Sequence, residues 1–245
     1  MNRKAIEKTE LNKILSLVAE YAVLDGSRER LKSLSPETDL SAAKKSLELT
    51  EECVKLLFTY GVGKIEYFPP FADELERAAK GSALSCGELL SACNLLRAAR
   101  IAHSGIAGVT DEEIKAVRVL ADRLYFDAAL EEDIQTKILS DTEVSDYASD
   151  RLYTIRREIR SLNERIRSRL AEYLTGEEGK YLQDGIVTMR DNRYVLPVRA
   201  EYKRNIKGFI HDRSASGATF FIEPEQVLEM NNELRSLAID EKEEV

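Results

Sequence analysis

Between Ala148 and Tyr173 an apolar side chain returns every three or four positions. Ala148, Leu152, Ile155, Ile159, Leu162, Ile166, Leu170 and Tyr173 are spaced 4, 3, 4, 3, 4, 4 and 3. An α-helix turns once in about 3.6 residues, so these side chains form one stripe on one long helix. The stripe is two positions per heptad wide. That suits a helix lying along a single partner helix better than one enclosed by a globular core. Gly176 ends it. A helix of roughly 28 residues at about 1.5 Å each reaches on the order of 40 Å. Such a helix needs a partner of similar reach from the same chain or another.

A second narrow stripe lies near the C-terminus: Val227, Met230, Leu234 and Leu237, spaced 3, 4 and 3, behind Pro224 at a first helical position. Between the two helices the period drops to two. "IVTMR", Asp191-Asn192 and "RYVLPVR" read as two strands around a two-residue loop. "KGFIHD" and "ATFFI" read as two more, which gives a small antiparallel sheet of about four strands. Pro197 has no N–H, so its strand is expected to have a free side. The seams are expected to face each other, with the sheet at the far end of an antiparallel helical arm. The chain ends on Glu243-Glu244-Val245 with no capping glycine and no basic last turn. The last helix therefore reads as cut internally, and the functional protein as longer.

Residues 1–145 read as all-helical. "LNKILSLVAEYAVLDGSRERLKSL" has helical apolar spacing, with Gly26 expected at a turn between two helices and Ser35-Pro36 ending the second. A further helix is expected from about Ser41 to Tyr60, capped by Asp39 or Ser41 and stopped by Gly61-Val62-Gly63. "YFPPF" reads as an extended connector, followed by helices over 72–80, 85–103 and 110–140. The fold class is mainly α: a helical body at 1–145, an outbound helix within 146–182, a small β tip at 183–223 and a returning helix at 224–245.

Composition narrows the function. No apolar run approaches the roughly 18 residues of a membrane span. The N-terminal "MNRKAIEKTELNKIL" is too charged for a secretory signal, so a cytoplasmic location and no membrane partner are expected. Cys53, Cys86 and Cys93 have neither zinc nor disulfide spacing and read as buried thiols. The net charge is −8, yet residues 148–213 hold 15 Lys and Arg against 10 Asp and Glu. This is an acidic chain with one basic region.

"HDRSASGATFFIEP" (His211 to Pro224) gathers several suggestive residues. His211, Asp212 and Ser214 are close in sequence, but adjacent strand residues point to opposite faces and a nucleophilic triad needs convergent ones. Gly217 leads into a strand with no lysine after it, so no nucleotide loop is present. Phe221-x-Glu223 is the kind of triplet that reads mismatches, but Phe221 lies in an apolar run and reads as core, and Glu223 as the first turn of the next helix. No catalytic residue, cofactor site or metal site is assigned. The candidate binding residues are Arg190, Arg193, Arg199, Lys203, Arg204, Lys207 and Arg213, interleaved with Tyr194 and Tyr202. Phosphate contact asks for such a composition; single-strand binding would also need exposed rings, for which the tyrosines are the candidates. The arginines of the long helix, from Arg151 to Arg169, have two readings: a solvated face paired with Glu158, Glu164 and Glu172, or a nucleic-acid-facing surface.

These residues carry a resemblance. "LNKILSLVAEYAVLDGSRERLKSLSPETDLSAAKKSLELTEE" resembles the first lever helices of MutS proteins. "YLQDGIVTMRDNRYVLPVRAEYKRNIKGFIHDRSASGATFFIEPEQVLEMNNELR" is similar to the clamp segment of the second bacterial MutS family, whose members carry a C-terminal Smr domain. The resemblance implies core and lever helices up to about residue 145, clamp arms at about 146–182 and from 224 onward, and the sheet as clamp tip. It implies an ATPase domain using ATP and Mg, and an Smr endonuclease domain, both beyond Val245, with no enzyme activity in this chain. It also implies a homodimer acting on branched or duplex DNA or on the ribosome and its RNA, in suppression of homologous recombination or rescue of collided ribosomes. The alternative is a coiled-coil protein-interaction or dimerisation module without nucleic-acid contact.

Overall fold

A computed structural model describes residues 9–245. The charged N-terminal stretch falls largely on residues 1–8, outside the described residues. The chain divides into two compact units, Met1–Ser145 and Asp146–Val245. No described helix is long and apolar enough to cross a membrane.

The first unit holds α1 (Leu11–Glu20), α2 (Asp25–Lys32), α3 (Leu40–Phe58), α4 (Ala72–Ala79), α5 (Cys86–Ala107), α6 (Lys115–Ala121) and α7 (Ala128–Lys137). Asp39 caps α3 by accepting the Ala42 N–H at 2.7 Å, and Gly61 leaves the helix region at φ 66°. Ser85 and Glu88 form a reciprocal capping box at the start of α5. Gly26 lies inside the first turn of α2, and the turn expected there falls on residues 21–24. The single helix expected over 110–140 is two. It breaks after Ala121, and Asp127 starts α7 afresh by accepting the Ala129 and Leu130 N–H groups at 3.0 Å. Nor is the unit all-helical, because β1 (Ile138–Ser140) and β2 (Glu143–Val144) form a short antiparallel hairpin. Leu56, Val109, Ile114 and Val117 form one core cluster. Of the three thiols only Cys93 is buried; Cys86 is half-buried and Cys53 exposed.

The second unit holds α8 (Asp150–Thr175), a sheet of β3 (Thr188–Arg190), β4 (Arg193–Arg199), β5 (Gly208–Arg213) and β6 (Thr219–Pro224), and α9 (Glu225–Glu244). The two apolar seams meet as expected. Leu162, Ile166 and Leu170 of α8 share one buried cluster with Val227 and Leu234 of α9. The motive for a coiled coil between chains goes with that, since the seams cover each other within one chain. The sheet packs on the far end of this helix pair: Leu182, Tyr194, Leu196, Val198 and Ile222 complete the same core. Ile166 is fully buried at its centre. Ile166→Ala is expected to destabilise this unit by about 2–5 kcal/mol, read as faster hydrogen exchange of the α8 amides. Exchange at the wild-type rate would show that these seams are not the unit's core.

The strand order is β3-β4-β6-β5, antiparallel throughout. Asp191 and Asn192 both take positive φ, 49° and 60°, as a two-residue type I′ loop requires. β4 as a whole has no free side, because it is an interior strand, but the β3 ladder stops short of Pro197. Its N–H would have pointed away from β6, where β3 has already ended. The irregular pair Leu182–Gln183 takes over there, and the Gln183 N–H reaches the Pro197 carbonyl at 2.7 Å. The missing donor thus falls where no regular ladder runs.

Pro224 ends β6 and caps α9 rather than occupying its first turn. In the β4–β6 register Leu196 faces Ile222, so Tyr194 would face Pro224, which has no N–H to give. Asn231, one side of α9 and fully buried, stands in. Its side-chain oxygen accepts the Tyr194 N–H and its amide nitrogen donates to the Tyr194 carbonyl, both at 3.1 Å. A helix side chain here does what a neighbouring strand's backbone would do.

Candidate nucleic-acid interface

Cross-strand partners share a sheet face. By that register Arg190, Arg193, Phe209, Asp212, Phe221 and Glu223 lie on the face opposite the core. Glu223 is not in the helix; it is a fully buried strand residue. It accepts from Arg193 Nη1 at 2.7 Å and from Asn231 Nδ2 at 2.7 Å, and it pairs with His211 Nε2. Arg193 also donates to Asn232 Oδ1 at 2.6 Å. Arg193 is thereby a correction to the candidate set. Its guanidinium is taken up inside the fold, because a buried carboxylate needs a matching cation. The sequence gives no local sign of this, since the two partners are 30 residues apart.

Phe221 is half-buried on the outer face, with the Arg190 guanidinium 4.0 Å from its ring centroid. Arg190 also reaches Asp212 at 3.4 Å. His211, Asp212 and Ser214 do not converge: they go to Glu223, to Arg190 and to the Thr219 N–H respectively. Part of the small-residue turn's backbone is already engaged. The Gly217 N–H bonds the Ser214 carbonyl at 2.8 Å and the Thr219 N–H the Ser214 hydroxyl at 3.0 Å, so these donors are consumed within the turn.

The remaining candidates fall into two places. Arg199 stands opposite Thr219 and Arg213 opposite Phe220, and the Lys203 ammonium lies 5.0 Å from the Phe220 ring centroid. Those three cations therefore lie at one end of the sheet, Arg199 on the outer face and Lys203 and Arg213 with Phe220 on the other. Lys207 sits at the other end, where its carbonyl accepts the Glu225 N–H at 3.1 Å, and Arg204 lies on the connection between them. Arg199, Lys203, Arg204, Lys207 and Arg213 are exposed and form no ion pair with a carboxylate among the described residues.

The arginines of α8 divide. Arg156 pairs with Asp146 at 2.8 Å and Glu241 at 2.7 Å, Arg160 with Asp146 at 2.8 Å and Arg151 with Glu244 at 3.4 Å. The Arg156 and Arg160 guanidiniums hold the Asp146 carboxyl below its ordinary range. Of the three glutamates expected as partners, Glu172 alone is one, to Arg169 at 3.2 Å. Most of the pairs instead tie α8 to its own flank and to α9. Arg157 and Arg165 are exposed and make no ion pair among the described residues.

The expected stacking rings are not the exposed ones. Tyr194 is buried, with its hydroxyl on Asn163 Oδ1 at 2.7 Å, and Tyr202 packs on Tyr181 with ring centroids 5.0 Å apart. The exposed ring of the sheet is Phe209. It sits in an apolar pair on the edge strand β5, whose place in the sheet leaves it uncovered.

No protein-family model matches the chain. Across its full length it is 36% identical to the endonuclease MutS2 of Clostridioides difficile (strain 630), 39% to that of Agathobacter rectalis and 37% to that of Acetivibrio thermocellus. The chain spans about 31% of the length of each of these relatives.

Proposed function

A MutS2-like sequence runs the whole length of this chain, and we propose that it supplies the nucleic-acid-contacting region of a longer MutS-like protein. The observation that carries this reading is the presence of Arg199, Lys203 and Arg213 at one end of a small sheet, with no carboxylate partner among the described residues. Exposed cations at a sheet end contact phosphate without reading sequence. In this reading residues 146–245 are the clamp, and residues 1–145 the core and lever that a motor elsewhere in the protein would move. ATP and Mg binding, endonuclease activity and homodimer formation belong to that longer protein. Suppression of recombination through branched DNA and rescue of collided ribosomes are its proposed settings.

The test is duplex and branched DNA binding by the chain across a range of salt concentrations. Arg199→Glu, Lys203→Glu and Arg213→Glu together are expected to weaken binding by tenfold or more, and to flatten the plot of log K against log salt by about 2–3, at about 0.9 per phosphate contact. Circular dichroism confirms that the variant keeps its fold. Affinity and slope equal to the wild type would discard the reading.

A further inference from the structure

The nucleic-acid reading leaves one exposed group of the sheet unused. Phe209 is 55% exposed, and its neighbour Ile210 on the other face of β5 is 53% exposed. The strand carries Lys207 just before it and Arg213 at its end, neither with a carboxylate partner among the described residues. On the Phe209 face the next ring, Phe221, is already covered by the Arg190 guanidinium. Gly208 lets β5 lie close against β6, since a side chain there would run into the Glu223 carbonyl. Phe209 is thus a ring on an edge strand, open to solvent, with Lys207 two residues before it; Arg213 pairs with Phe220 and so belongs to the other face.

A free strand edge with apolar residues is first of all a place for another strand to add. Two features oppose that here. The β5–β6 register shifts between Ile210 and Asp212, a bulge that breaks the even spacing a new strand would need. Cations at both ends of the strand also repel a second copy of it lying antiparallel, since Lys207 would then meet Arg213. The chemistry instead matches a ligand with a flat apolar ring joined to an anionic group, which is an unstacked nucleotide. Base pairs inside an intact duplex keep their faces covered, so the ligand needs an unpaired base.

We infer that the edge strand β5 is a stacking site for an unpaired base of single-stranded or locally opened nucleic acid, with Phe209 against the base and Lys207 on a flanking phosphate. The site rests on the proposed nucleic-acid function and adds to it a preference for unpaired bases. Stacking tolerates any base, so DNA and RNA strands both qualify.

The chain contains no tryptophan, so Phe209→Trp makes a single fluorescent reporter at the site. Oligothymidylate and oligouridylate are expected to quench it on binding. Heparin, which offers anions without bases, is expected to bind and leave it bright. In parallel, Phe209→Leu keeps apolar bulk and removes the ring. It is expected to lose about tenfold or more in affinity for the oligonucleotides while its duplex affinity stays within about twofold. Oligonucleotides that bind without quenching, equal quenching by heparin, or equal losses on single strand and duplex would each overturn the stacking site while leaving phosphate binding intact. If neither oligonucleotide nor duplex binds the wild-type chain, the broader reading fails and this one with it.

Discussion

Glu223→Ala is expected to destabilise the second unit by about 3 kcal/mol, near the low end of what breaking a buried ion pair costs. Glu223 has no solvent exposure and takes hydrogen bonds from three side chains, Arg193, Asn231 and His211. Removing it strands the Arg193 guanidinium, whose side chain is only 14% exposed. Asn232 remains as a partner for Arg193, which keeps the loss from the upper end of the range. Two compact units in one chain make a single melting curve a mixture. The measurement is therefore hydrogen exchange of the peptides covering β4 and β6, where about 3 kcal/mol corresponds to roughly a 100-fold loss of protection. A loss smaller than about fivefold would mean that the cluster adds little. Replacing Arg193 and Glu223 together by Met and Leu is expected to restore much of the loss, because a matched apolar pair leaves no unpaired charge.

The second large effect is at Asn231. Asn231→Leu fits the volume but removes the acceptor for the Tyr194 N–H and the donor for its carbonyl. Both backbone groups are buried, and each unsatisfied group costs about 1–3 kcal/mol. The expected destabilisation is about 2–5 kcal/mol, read most sharply in the exchange rate of the Tyr194 amide itself. Asn231→Asp is a graded comparison: it keeps an acceptor for Tyr194, loses the donor, and sets a second carboxylate beside Glu223. If the leucine variant exchanges at the wild-type rate, another group serves Tyr194 and the account of this sheet edge is wrong.

The long α8–α9 pair and the β3–β4 hairpin are legible in the sequence because each is specified by its own local pattern. The seam from Leu152 to Leu170 is a period, and Asp191-Asn192 is a turn whose backbone those residues favour. The break at Ala121 and the β1–β2 hairpin are less legible. Apolar and charged residues continue through 122–140 in a way a helix tolerates, and a single side chain, Asp127, resets the start. The candidate interface is legible as a composition only. Seven cations in one segment are plain, but Arg193 belongs to a carboxylate 30 residues on, and Arg190 to a ring and an aspartate on other strands. Phe209 is hidden for the opposite reason: an apolar residue in an apolar strand looks enclosed until the strand order leaves its edge uncovered.

The amide of Asn231 also bears on which changes of length this sequence can absorb. Seven positions separate it from Pro224, about two helical turns. One residue inserted or deleted between them would swing the amide by about 100° around α9, away from the strand it completes. The turn from Ser214 to Ala218 and the connection from Gln183 to Val187 have no such phase to keep. Among relatives, gaps should therefore collect in those two stretches and be rare between Pro224 and Asn231, a pattern of drift set by hydrogen-bond geometry.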